Sequence, residues 1–149
     1  MYCINNVKSN IFKNRDVGSN WVVYARSQGA GNRGQMNTSN AWGSSSTSFQ
    51  STDPDNSVIT LGTSSGTNAS SANFVCYAWH SVDGYCKVGT TTGNGSSSQG
   101  SFTYLGFRPR LIIYKRSTDS NFENSASFWN LSSSISDHLL ICFIQYFSL

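Results

Sequence analysis

The chain has 149 residues, which is room for one domain with a real core and short for two. Charged residues make up only 11% of it and the net charge of +3 is spread out, which argues against a nucleic-acid partner. Four Trp, seven Tyr and nine Phe exclude a disordered linker. The polarity comes instead from Ser, Thr, Asn and Gly, whose side chains compete for backbone hydrogen bonds or free the backbone, and so favour turns over helix interiors.

In chain order, the opening Met1-Tyr2-Cys3-Ile4-Asn5-Asn6 lacks the apolar stretch of a signal peptide. The first predicted strand is Trp21-Val22-Val23-Tyr24-Ala25, followed by a Gly/Asn-rich turn over 29–34 and then Gln35-Met36-Asn37. Residues 39–57 are mostly polar, broken by Trp42 and Phe49 and closed by the turn sequence Asp53-Pro54-Asp55-Asn56. Val58-Ile59-Thr60-Leu61 reads as the next strand, ended by Gly62. The strongest strand is Phe74-Val75-Cys76-Tyr77-Ala78-Trp79-His80. It is apolar at nearly every position, which predicts protein contact on both faces. One face carries Val75, Tyr77 and Trp79, and the other Phe74, Cys76, Ala78 and His80. A tight turn at Asp83-Gly84 leads into a strand over 85–89, then a polar loop over 92–98. Strands over 102–105 and 111–114 follow, separated by Gly106-Phe107-Arg108-Pro109. The apolar run over 139–147 is about half the length needed to span a bilayer, so no membrane anchor is expected.

Apolar residues nowhere repeat at helical spacing over more than two turns, and short strands alternate with turn signals. The fold class is therefore all-β, as an antiparallel β-sandwich. Its expected core draws on Trp21, Val23, Val58, Leu61, Phe74, Cys76, Tyr77, Trp79, Phe102, Leu105, Ile112 and Tyr114. Cys3, Cys76, Cys86 and Cys142 have no zinc-type spacing. Cys76 and Cys86 flank the turn at Asp83-Gly84; buried free thiols are expected there over a disulfide.

A faint internal repeat runs through the chain. Asn14-Arg15 followed by Ser19-Asn20-Trp21 is echoed by Lys115-Arg116 followed by Ser120-Asn121-Phe122, suggesting a tandem unit of about 100 residues. More specific are Asn20-Trp21-Val22-Val23-Tyr24, Val58-Ile59-Thr60-Leu61-Gly62 and the run from Phe74 through Asp83-Gly84-Tyr85. Lys87-Val88-Gly89, Thr92-Gly93-Asn94-Gly95 and Gly106-Phe107-Arg108-Pro109 continue the series. In order and spacing, residues 11–122 resemble a tandemly repeated β-sandwich domain of unknown function from structural proteins of bacteriophages, especially marine ones. The resemblance implies a jelly-roll-like or concanavalin-like sandwich in a tail-fibre or tail-associated virion protein, assembled in the bacterial host cytoplasm. It implies neighbouring repeats or other virion proteins as partners, with a host-surface glycan and a homotrimer left open. The expected module is residues 1–122, entered partway through a repeat. Residues 123–149 do not match and read as a truncated or frameshifted tail.

No group of residues reads as an active site, and neither metal nor cofactor is expected. Asp53 and Asp55 could ligate a hard cation or act as paired carboxylates, but Pro54 between them makes a turn the better explanation. His80, Ser81 and Asp83 supply the residue types of a hydrolase triad, yet as neighbours on one strand end they cannot converge from separate elements. The glycines at 93 and 95 precede no helix, so that loop is a turn and not a phosphate cradle. What remains is a binding surface of amides, hydroxyls and aromatic rings suited to sugars. Trp42, Asn40 and Asn94 are the candidate glycan-binding residues, with core or inter-repeat packing as the competing role for Trp42.

Overall fold

The fold is taken from a computed structural model that describes residues 6–94, 96, 98–109, 111–117 and 139–144. Among the described residues the chain is all-β, with two single-turn helices. Strands β1 (Ser9–Asn14), β2 (Val22–Ala25), β3 (Asn32–Gln35), β4 (Gly43–Ser44) and β5 (Phe74–Trp79) form one sheet in the order β4-β3-β2-β1-β5. Helices α1 (Ser46–Phe49) and α2 (Ser65–Asn68) lie in the long connection between β4 and β5. A second sheet has the order β6-β8-β7, from β6 (Cys86–Thr91), β7 (Leu111–Arg116) and β8 (Leu139–Ile144). Every pairing is antiparallel.

The core is built on β1 and β2, and their register explains why. Ile11 lies opposite Val23 and Phe12 opposite Val22, so like faces meet across the pair. Phe12, Val22 and Tyr24 point to one face, where Ala30 and Phe49 complete a buried cluster and Ile59 and Leu61 pack on it. Ile11, Val23 and Ala25 point to the other, where Met36, Trp42, Trp79 and Val88 pack. Val88 belongs to β6, so the second sheet reaches the first through this face. Tyr24 meets Phe49 edge to face at 5.5 Å and 67°.

β1 is not among the predicted strands, because Ser-Asn-Ile-Phe-Lys-Asn carries only two apolar residues. Neighbours on both sides nevertheless bury Ser9, Asn10, Ile11, Phe12 and Asn14. Asn14 ends it, its Oδ1 accepting from the N–H groups of Asp16 (2.9 Å) and Val17 (3.3 Å).

Several expectations need correcting. Residues 58–61 form no strand: Ile59 and Leu61 lie across a sheet face, where the backbone cannot also join a ladder. Residues 102–105 form none either. Side chains hold that segment, with Ser101 Oγ donating to Thr92 O (2.6 Å) and Thr103 Oγ1 to Thr91 Oγ1 (2.9 Å). Phe102 is 87% exposed, and Trp21, Val58, Tyr77 and Cys76 are exposed as well, so none of these is core. Val23 is fully buried and Leu61 packs as expected, while Phe74, Trp79, Leu105, Ile112 and Tyr114 are half-buried. Tyr77 and Trp79 stack on one face of β5, but the protein contact expected on both faces fails at Cys76, Tyr77 and Ala78, which are exposed because the strand lies at the sheet edge with β1 as its partner. Cys76 is exposed, against the expectation of a buried thiol, while Cys86 is buried; the two lie on β5 and β6, which belong to different sheets. The limit expected between residues 122 and 123 lies outside the described residues. Beyond it, β8 pairs along its whole length with β6 and β7.

Candidate functional site

Of the three candidate glycan-binding residues, the fold brings two to one place. Asn40 and Trp42 precede β4, beside a shallow groove of about 230 Å³ lined by Arg33, Gln35, Asn40, Ala41, Gly43 and Ser44. The segment carrying them is fastened from the second sheet. Lys115 on β7 is fully buried, and its Nζ donates to Thr38 O (2.9 Å) and Asn40 O (2.7 Å). Trp42 N–H donates to Ser117 O (3.1 Å). Burial, with Arg116 next along the strand, holds the Lys115 pKa below the ordinary lysine value.

The Trp42 ring does not stand free as a stacking platform. It covers Gly34 so closely that a Cβ there would lie 2.8 Å from Cε2, and it packs on the Ile11, Val23 and Ala25 cluster. Asn94 is apart from this segment in an exposed loop after β6. Its Nδ2 donates to Gln99 O (2.7 Å) and its Oδ1 accepts from Ser96 N–H (3.1 Å), so its amide shapes its own turn.

A profile of the family described as Domain of unknown function (DUF7483) matches residues 4–133. The chain belongs to this family. Comparison with curated proteins and with solved structures returns no match.

In this DUF7483 chain the residues that could carry chemistry are engaged in holding loops. Asp53 Oδ1 accepts from the Tyr24 hydroxyl (3.0 Å) and from Ala30 N–H (3.0 Å), and Arg26 lies 3.9 Å from Oδ2. Desolvation, followed by the Asp53 hydrogen bond, pushes the Tyr24 pKa well above the ordinary tyrosine value. Arg26 also donates to Pro54 O and Val7 O, tying the Asp53 turn to β2. Asp55 Oδ1 accepts from Ser57 N–H (2.7 Å), Val58 N–H (2.7 Å) and Ser57 Oγ (3.1 Å). Those N–H groups hold its carboxyl below the ordinary aspartate value. Each aspartate thus closes a turn on separate partners. Ser81 Oγ accepts from Val88 N–H (3.1 Å), joining the start of the β5–β6 turn to β6. His80 borders a different, more apolar recess of about 210 Å³ with Ala78, Trp79, Val82, Tyr85 and Cys86. No metal-ligating cluster occurs among the described residues.

Sequence reasoning missed Arg33, Gln35 and Ser44, because 29–34 reads as a turn while 32–35 is β3. It also missed the Lys115 clamp. The only signal available was a lysine following the apolar run 111–114, which says nothing about a partner some 75 residues away.

Proposed function

We propose that this chain is a non-enzymatic structural module of a bacteriophage virion, part of a tail-fibre or tail-associated protein, where it supports attachment to the host surface. In this reading the two sheets form a jelly-roll-like or concanavalin-like sandwich, and neighbouring repeats or other virion proteins are the partners. The observation that carries it is the use made of the polar side chains: Asp53, Ser81 and Lys115 each fasten one segment to another, and Asp55 closes its own turn. Such a pattern suits a load-bearing part. The motif resemblance over 11–122 supports the phage setting, and the packing of Val88 against the Ile11 face supports the sandwich.

Direct glycan recognition is the second reading, favoured by the polar groove that Arg33, Gln35, Asn40 and Ser44 line. Multivalent display of the whole chain on a trimeric scaffold separates the two, because avidity makes weak sugar affinities detectable. The structural reading expects no saturable binding to host cells from a folded display. Binding abolished by Arg33→Ala with Gln35→Ala would replace it with the lectin reading. Release of reducing ends from host polysaccharide would overturn the non-enzymatic assignment.

A further inference from the structure

Among the described residues the two sheets present four outer strands, and three of them are built to refuse a further strand. β4 is only two residues long, β6 carries the exposed Lys87, and the end of β7 is held to the 38–42 segment through Lys115 and Ser117. Short edges and edge lysines are the ordinary protections against strand addition. β5 has neither: its six residues, Phe-Val-Cys-Tyr-Ala-Trp, include no charge, proline or glycine. Cys76, Tyr77 and Ala78 in its middle are all exposed, and no described residue pairs with its outer edge.

The register shows which backbone groups are open. Arg15 N–H donates to Asn73 O at the start of the β1–β5 ladder, so the odd-numbered residues of β5 direct their N–H and C=O groups to β1. Phe74, Cys76 and Ala78 therefore direct theirs outward. An open row of that kind, on an apolar strand, is a template for another strand.

We propose that β5 pairs antiparallel with β5 of a second copy of this chain, about a two-fold axis at Cys76, joining the two five-stranded sheets into one. The strand is complementary to itself in this register. Phe74 falls opposite Ala78 of the second copy, bulky against small, and Cys76 opposite Cys76. On the other face Val75 falls opposite Tyr77. No charge meets a like charge. Two-fold pairing also closes, since each copy uses the one edge left unprotected among the described strands. The pairing does not depend on the phage assignment.

The test is sedimentation equilibrium of the full chain across a concentration series, with two variants. Cys76→Pro removes an N–H that points outward while leaving the β1 ladder intact, as proline on an edge strand can. It deletes two symmetry-related hydrogen bonds and is expected to weaken the dimer roughly tenfold. Ala78→Lys places a charge against Phe74 of the second copy and is expected to do at least as much, without touching the backbone. Far-UV circular dichroism shows whether each variant is folded; if the proline variant is not, the lysine variant decides. A concentration-dependent dimer weakened by Ala78→Lys bears the proposal out. A monomer at every concentration, a trimer, or a dimer indifferent to Ala78→Lys overturns it.

Discussion

Removing the Asp53 carboxylate tests whether that residue is a loop fastener. Tyr24 is fully buried and Ala30 nearly so, and both donate to the same carboxylate oxygen at 3.0 Å. Asp53→Ala leaves a phenol hydroxyl and a backbone N–H without their acceptor, at about 1–3 kcal/mol for the first and about 1 kcal/mol for the second. The Arg26 contact is long and its side chains are 31% and 44% exposed, so it adds no more than about 0.5 kcal/mol. The expected loss is about 3 kcal/mol, a large share of the roughly 5–15 kcal/mol that holds a domain folded. Tyr24→Phe removes only one of the two bonds and leaves a carboxylate that water reaches, so about 1 kcal/mol is expected. The two changes share an interaction, and the double variant should fall short of their sum by about 1 kcal/mol. Urea unfolding of the four proteins at constant slope measures all of this. A cost below about 0.5 kcal/mol for Asp53→Ala, with no coupling, would refute the reasoning. So would a rise in the wild-type midpoint with millimolar calcium that Asp53→Ala abolishes, which would make Asp53 a cation ligand.

Tyr24 also sets an alkaline limit. Its folded pKa lies above the ordinary value of 10.0, so the unfolded chain gives up this proton first. The associated stability is whole below pH 10 and lost as pH rises beyond it, and Tyr24→Phe should lessen that fall in a pH series of urea midpoints. Asn10 is fully buried with neither amide atom hydrogen-bonded among the described residues. Asn10→Leu, similar in volume, should stabilise by about 1–2 kcal/mol in the same assay, and a loss would show that the amide has a partner. Gly34→Ala drives a methyl into the Trp42 ring and should cost about 1–3 kcal/mol, with a changed near-ultraviolet spectrum. Lys115→Met keeps the stem but drops both bonds to 38 and 40, so amide hydrogen exchange should quicken over 38–42 and stay unchanged over β1.

The parts of the fold legible in the sequence are those where local pattern and tertiary placement agree. Residues 22–25 are β-branched and aromatic and lie buried on both faces, and the alternation within 74–79 assigns its faces correctly. Residues 58–61 carry the same pattern, but Ile59 and Leu61 cover a sheet face, which composition cannot distinguish from a place within a sheet. β1 is the reverse case, a polar segment made an inner strand by its neighbours. The strand from Phe74 reads as fully buried because nothing in its sequence reveals that β1 pairs with one side of it only. At the candidate site, Trp42 and Asn40 stand out as an aromatic and an amide in a polar stretch. That Trp42 lies on Gly34, and that Lys115 reaches Asn40 from β7, depends on contacts far apart in the chain.

The proposed place of this chain in a virion is tested most directly by its presence in particles. Phage particles banded from a lysate of the host carrying the gene should yield peptides of this chain by mass spectrometry. Antibody raised against it should label the tail by immunogold electron microscopy. Peptides confined to the soluble fraction, with particles that stay unlabelled, would contradict the account.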